Sequence, residues 1–509
     1  MTAPGRWALG AAGCGGTSVI LLAAVAAAGD SAAVPGLGAA TWHPPWDAGL
    51  HPRSGLVSLV LAIAYLLGAA AVALGLVAVR RGARPGPAAV GAAALACVAL
   101  LVAVPPLGSA DHLSYAAYGR IAAAGDNPYL IRPIDWRGGR DPVAGAIQPP
   151  WQDTPSVYGP VATAVQAATA VAGGGSLRLT VWAWQLVVGA AFLLTAWTLD
   201  RLARPDPVAR ARAAVLWTLN PLLLGQLVLG AHVDVLAAAA GLGVIALTRS
   251  GAGDRPGVVA LRSLAGGALF GVAAGVKAPY ALFGLAACWG LSRLGARTAL
   301  RRAGLGLLGA AVVLVPAHLW TGPHTYDQLL RNSRFISFAT PWRLVADRLD
   351  PVFGRPAVRD VVGPLSAVLA VVLVVLLARW LRGRRAAPSD PVTASATRAE
   401  VALTGAWVLA APYALPWYDA MVWAPLALLA PSFLDIAMLA RLGVLALAYV
   451  PGRVVELSPA VERITLGFRR EVAPWLVLAA LIAAASWLSG LARRRPPTVP
   501  GRPAPSRGR

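Results

Sequence analysis

The chain has 509 residues, of which 57% are hydrophobic and 13% charged, against about 25% charged in an ordinary soluble domain. That balance excludes a soluble globular enzyme and leaves an integral membrane protein. The net charge of +22 is no nucleic-acid footprint either, because the arginines gather in short loops between apolar runs, as the positive-inside rule asks of cytoplasmic loops.

In chain order, apolar runs of roughly 15–25 residues match the thickness of a bilayer. They predict an all-α polytopic protein with about 14 spans, at 7–28, 55–79, 88–107, 178–199, 213–230, 234–248, 262–276, 278–292, 303–320, 361–381, 400–415, 417–434, 436–451 and 472–490. The basic stretches 80–84, 201–212, 249–262, 293–302, 379–385 and 493–495 mark the cytoplasmic side. Alternation then closes with both termini cytoplasmic and with segments 108–177 and 321–360 as large extracytoplasmic loops. Segment 160–173 is apolar but short. A crossing there would turn 201–212 outward, so a re-entrant or interfacial helix is expected. Residues 7–28 also fit a cleaved signal peptide. Residues 1–490 form one transmembrane domain in this reading, and the Pro/Arg-rich stretch 491–509 is expected to be a disordered cytoplasmic tail. Cys14, Cys97 and Cys288 sit inside apolar runs and read as small packing residues. No metal-ligand spacing is present, so no metal and no cofactor are expected.

The unusual polar residues fall at the outward ends of the predicted helices. Asp111-His112 follows the third span. Tyr115, Asp126, Tyr129, Asp153 and Tyr158 follow in the first large loop. His232 and Asp234 lie at one outward turn, Lys277 at another, and Trp417-Tyr418 at a third. Arg331 and Arg334 belong to the 321–360 segment, with His324, Tyr326 and Arg343. Lys277 is the only lysine in the chain. It reads either as a cation snorkelling to headgroups or as a partner for a lipid phosphate or for Asp234, since an unpaired ammonium in hydrocarbon costs at least about 2–3 kcal/mol. Asp111 reads as a helix N-cap or as a general base whose proton affinity is raised by an apolar setting; the two roles are compatible. His232 and Asp234, two residues apart, do not share a helix face and read first as a pair capping their turn. Asn220-Pro221 is a predicted kink. The tryptophans are ordinary interface anchors.

These phrases, in this order, resemble a known pattern. The Asp after an early span, Tyr115 to Gly119, Gly125-Asp126-Asn127-Pro128-Tyr129 and Tyr158-Gly159-Pro160 are similar to the first periplasmic loop of GT-C glycosyltransferases. So are Asn220-Pro221-Leu222, Gly230-Ala231-His232-Val233-Asp234, Gly275-Val276-Lys277-Ala278-Pro279 and Pro416-Trp417-Tyr418. Within that superfamily the order is most similar to actinobacterial polyprenol-phosphomannose-dependent α-1,6-mannosyltransferases, over roughly residues 90–490. The resemblance implies a polyprenyl-phosphate-mannose donor, a mannan-type lipoglycan acceptor, inverting transfer at the outer face of the plasma membrane, and Asp111 as base. Where many GT-C enzymes carry paired acids, this chain has Asp111-His112, which leaves an assisting role for His112. Asp126, Asp153 and Asp234 are the fallback bases. Two other readings stay open. One is another polyprenyl-phosphate-sugar transferase, arabinosyl or glucosyl. The other is a polyprenyl-linked sugar transporter or flippase, which would need polar residues across the midplane.

Overall fold

The computed structural model describes residues 3–39, 41–251 and 253–493. Among them all regular structure is helical, apart from one isolated antiparallel bridge between Ala386 and Leu429. The expected tail 491–509 lies almost wholly outside the described residues.

Helices α1 (Ala3–Ala28), α2 (Ser54–Arg80) and α3 (Pro87–Val102) come first, then α4 (Asp111–Ala123) and α5 (Pro160–Gly173). Helix α6 (Leu177–Ala203) is followed by α7 (Pro207–Ala213) and α8 (Pro221–Leu223), which belong to one interrupted helix reaching Leu229. Its break is the predicted kink. Asn220 Oδ1 accepts from the N–H groups of Leu222 and Leu223 at 3.0 and 3.4 Å, and its Nδ2 donates to the Leu216 carbonyl at 3.0 Å. The backbone groups freed by Pro221 are thereby satisfied inside the membrane-buried core. Next come α9 (Asp234–Leu247), α10 (Pro256–Val276), α11 (Leu282–Leu291) and α12 (Ala296–Thr321). The short α13 (Asp327–Asn332) and α14 (Pro341–Phe353) precede α15 (Arg355–Leu381) and α16 (Pro391–Ala410). Helices α17 (Ala420–Leu426), α18 (Phe433–Ala448), α19 (Pro459–Gly467) and α20 (Ala473–Arg493) complete the chain.

Among the described residues, seven helical stretches are long and apolar enough to cross a membrane: 5–28, 54–80, 177–203, 207–229, 256–276, 296–321 and 355–381. Helices α3 and α9 are apolar but shorter. The chain is therefore a polytopic membrane protein. Close helix contact uses small residues, as expected where the hydrophobic effect does not sort helix from lipid. At Gly267 a Cβ would lie 1.8 Å from the Gly306 carbonyl oxygen, so α10 and α12 touch backbone to backbone.

Three predicted boundaries are corrected, two by proline and one by a helix cap. The expected 400–415 span is α16, which begins at Pro391 and ends at Ala410. Ala411, ahead of Pro412, is extended (φ −60°, ψ 132°), the conformation a following proline imposes. The expected 417–434 span is one 3₁₀ turn plus the seven-residue α17; Pro425 lies within that helix and Pro431 follows it. The expected 436–451 span begins instead at Phe433, behind a capping box of Ser432 and Asp435.

The helices connect two chemically distinct ends. At one end basic loops meet. Arg302 donates to the Leu247 carbonyl at 3.1 Å, Arg385 lies 3.4 Å from Asp206, and buried Arg212 grips Asp435 at 2.8 Å. At the other end lie Asp111, Asp234, Lys277 and Trp417. Helix α5 stays at that end: the N–H of Gly159, at its start, donates to the Val276 carbonyl at 3.1 Å, and the Gly174 carbonyl, just past its end, accepts from Arg120 at 3.1 Å.

Candidate active site

Asp111 is the first residue of α4. Its predecessor Ala110 adopts a left-handed conformation (φ 62°), a strained geometry for a residue with a Cβ. The Asp111 N–H donates to Ser109 Oγ at 3.2 Å. Its carboxylate makes no capping bond, so the N-cap reading lapses and the oxygens remain available. The side chain is 14% exposed. Burial pushes its pKa up to about 7, opposed in part by the charge of Lys277. A carboxyl poised there takes up a proton readily near neutrality.

His232 fixes the other side of this group. Its Nδ1 lies 2.5 Å from the Gln226 carbonyl, which only accepts, so Nδ1 carries the proton. Nε2 then accepts from the Ser109 hydroxyl at 3.0 Å. It stands 3.7 Å from Asp111 Oδ2 as a neutral lone pair facing a carboxylate. The ring stacks on Trp417 at 3.7 Å between centroids. His232 and Asp234 do not cap a shared turn. They diverge, one toward Asp111 and the other toward Lys277.

Lys277 caps the end of α10 in an extended conformation. Its Nζ donates to both oxygens of Asp234, at 2.7 and 2.9 Å, and sits 3.5 Å above the Tyr418 ring. The ammonium is held by ion pairing and cation–π contact at once, so snorkelling does not describe it. A close backbone approach sets its position. At Gly159 a Cβ would fall 2.2 Å from the Gly275 carbonyl oxygen, so only glycine lets the 158–160 turn press against the end of α10. Tyr158 is thereby brought edge-on to Tyr115 at 5.0 Å, and Tyr115 also meets Trp184 at 5.0 Å.

Asp111, Tyr115, Tyr158, Asp234, Lys277, Trp417 and Tyr418 border one cavity of about 560 Å³. Ala367 and Ala370 of α15 and Trp407 of α16 extend its wall along membrane helices. A second cavity of about 910 Å³ also reaches Asp111, bordered by Tyr449, Arg453, Glu456 and Arg469. Asp111, Trp151, Phe335, Tyr413, Leu415 and Trp417 border both.

Other expected site residues lie elsewhere. His112 is 1% exposed, its Nε2 has no partner among the described residues, and burial pushes its pKa down to about 3. Neighbours on a helix point about 100° apart, so His112 turns into the protein where Asp111 meets the cavities. Asp126 accepts from Trp136 Nε1 at 2.8 Å, and the Tyr129 hydroxyl pairs with Thr163 at 2.7 Å. Asp153 is exposed. Arg331 bonds Gln328 at 3.0 Å, and Arg334 pairs with Asp360 at 3.1 Å in the open. None of these six borders either cavity. Sequence reasoning missed Ser109, Tyr118, Tyr413, Tyr449, Arg453 and Arg469. Tyr118 was findable, because 111, 115 and 118 share one face of a helix. Among the described residues no group of three His, Cys, Asp or Glu is placed to hold a metal ion.

Comparison with known proteins adds a family. A probable alpha-(1->6)-mannopyranosyltransferase of Mycolicibacterium smegmatis is 34% identical over 139 residues, 27% of this chain and 25% of that protein. Alpha-(1->6)-mannopyranosyltransferase B of Corynebacterium glutamicum is 31% identical over 137 residues, 27% of this chain and 23% of its own length. Alpha-(1->6)-mannopyranosyltransferase A of Mycobacterium tuberculosis is 30% identical over 179 residues, 35% and 32% of the two chains. The matched stretch thus spans only about a quarter to a third of each curated relative. No solved structure matches. The family signature described as alpha-(1->6)-mannopyranosyltransferase, N-terminal domain, covers residues 10–293, more than half of the chain, so this protein belongs to that mannosyltransferase family.

Proposed function

We propose that the chain transfers mannose, with inversion, from polyprenyl-phosphate-mannose to a mannan-type lipoglycan acceptor at the extracytoplasmic face of the plasma membrane. The observation that carries this reading is Asp111, a carboxyl with a pKa near 7 between two cavities, one of them walled by membrane helices. An acceptor hydroxyl attacks the anomeric carbon from the face opposite the phosphate. The new C–O bond forms as the bond to the phosphate oxygen breaks, the hydroxyl proton passes to Asp111, and polyprenyl phosphate leaves with the bonding pair. Cations at headgroup depth stabilise that leaving charge, and Lys277 is the first candidate. The half-buried rings of Tyr158 and Tyr418 at the cavity wall are the candidates for stacking on a sugar.

The proposed arrangement is a single domain, 1–490, of fourteen crossings. Segments 108–177 and 321–360 lie outside, and both termini lie inside with the tail. Arginine-rich loops gathered at the end opposite Asp111 support that orientation. The purified protein, given labelled polyprenyl-phosphate-mannose and a short α-mannoside, should yield a mannoside extended by one residue. Product from the arabinosyl or glucosyl donor instead would reassign the sugar, and no product with any of them would reject the transferase. Single cysteines at Gly138 and Pro323, in a cysteine-free background, should react with an impermeant thiol reagent in intact cells; protection of both would invert the topology.

A further inference from the structure

Three cations border the two cavities: Lys277, Arg453 and Arg469. Two of them are committed. Lys277 has both oxygens of Asp234. Arg453 donates to Gln148 Oε1 at 2.6 Å and to the carbonyls of Ser31 and Val34, and it lies 3.6 Å from Asp30. Arg469 differs. Among the described residues no carboxylate lies within 4.0 Å of it. Its Nε donates to the Ala448 carbonyl at 2.5 Å, at the end of α18, and its guanidinium lies over the Tyr449 ring at 4.8 Å. Those contacts fix the plane of the fork and leave both terminal amino groups unpartnered among the described residues, in the cavity that Asp111 also borders. Arg469 sits in the single wide turn Phe468–Val472 between α19 and α20.

We propose that Arg469 is an anion-docking residue, holding the phosphate of a lipid-linked substrate in the second cavity while Asp111 faces the reacting hydroxyl. This inference rests on the transferase reading above. An arginine fork presents parallel N–H donors that match two phosphate oxygens. Among the described residues no carboxylate is within 4.0 Å of it, although Asp111 and Glu456 border the same cavity, whereas a phosphate brought to Lys277 meets the Asp234 carboxylate directly. Both a polyprenyl-phosphate donor and an acidic phospholipid-anchored acceptor carry the chemistry that this fork recognises.

Two kinetic arms separate those sources, using the full-length protein in lipid nanodiscs. In the first, polyprenyl-phosphate-mannose is varied against saturating octyl α-mannoside, which has no phosphate. In the second, a phosphatidylinositol-linked mannoside is varied at saturating donor. R469Q should raise KM about tenfold in one arm while kcat changes less than about threefold, and R469K should recover most of the loss. The arm that responds identifies the source. Unchanged KM in both arms, or a fall in kcat alone, overturns the assignment. If R469Q does not fold, R469K carries the test, with a rise in KM of about two- to fivefold expected in one arm and no rise in either overturning it. Equilibrium binding of polyprenyl phosphate and of phosphatidylinositol, each alone, is measured on the same variants. Loss of one of them in R469Q supports the site even if the wild type transfers no mannose, so failure of the transferase reading is distinguishable from failure of the anion site.

Discussion

Segments 108–177 and 321–360 carry the same alphabet of acids, arginines and aromatics, yet the fold spends it in opposite ways. In the first, Asp111 is drawn against a histidine and a serine, and it borders two cavities. In the second, His324 pairs with Asp327, Arg334 with Asp360 and Arg343 with Asp347. Those pairs are a quarter to two-thirds exposed, in the range where ion pairs contribute little. Of that segment, among the described residues, only Tyr326, Leu329, Asn332 and Ser333, with the stretch 335–339, border the two cavities beside Asp111. Charge density alone does not mark a site; charge held in low dielectric beside empty space does.

The sharpest way to break this contrast is at its centre. Asp111→Asn keeps the size of the side chain and removes the proton acceptor. It should lose at least about 10²-fold in kcat, the range of general-base removal, while expression and donor binding survive. Asp126→Asn and Asp153→Asn should stay near wild type. A wild-type rate for Asp111→Asn, with a loss at Asp126, Asp153 or Asp234, would move the base. The wild-type pH profile refines the same point. Burial raises the Asp111 pKa to about 7, and the base works ionised, so kcat/KM should rise as pH climbs through about 7 and level above it. A profile flat from pH 5 to 8 would contradict that role.

Next in size is Lys277→Met. About tenfold in kcat/KM, near 1.4 kcal/mol, should be lost with the lipid donor. The substitution strands Asp234 at 1% side-chain exposure, and an uncompensated buried charge destabilises by several kcal/mol. Lys277→Met with Asp234→Asn should therefore recover thermal stability without recovering kcat/KM. Recovery of both would reduce the pair to a structural one. The smallest effects belong to the second segment. Arg331→Ala and Arg334→Ala should change stability by no more than about 0.5 kcal/mol and donor KM by less than about twofold. A larger loss in KM at either would show that this segment closes over substrate.

Much of this was legible before any coordinates. Apolar length and basic loops give a polytopic helical protein because both follow from the bilayer alone. Asp111, Asp234, Lys277, Tyr158 and Trp417 stand out as polar or aromatic residues where helices end, and all five border one cavity. Pairing within that group was not legible. Asp234 meets Lys277 and His232 meets Asp111 across 43 and 121 positions of the chain, distances that no local pattern reports. His112 was misread because adjacency in sequence is not adjacency on a helix. Arg469 had no signal in the sequence, because its lack of a paired carboxylate among the described residues is visible only once the neighbours are in place.

The rings that border both cavities have one more consequence. Trp151, Phe335, Tyr413 and Trp417 frame an aperture beside Asp111. Trp417 is braced by His232 stacked on one face and by Tyr449 set edge-on at 5.3 Å. Each aromatic side chain turns about only two torsions, so the opening behaves as a rigid gauge. In the proposed transfer, a donor in one cavity and an acceptor in the other would meet at a separation that the frame fixes, so the entropy of bringing them together would be spent when the protein folds instead of at each turnover.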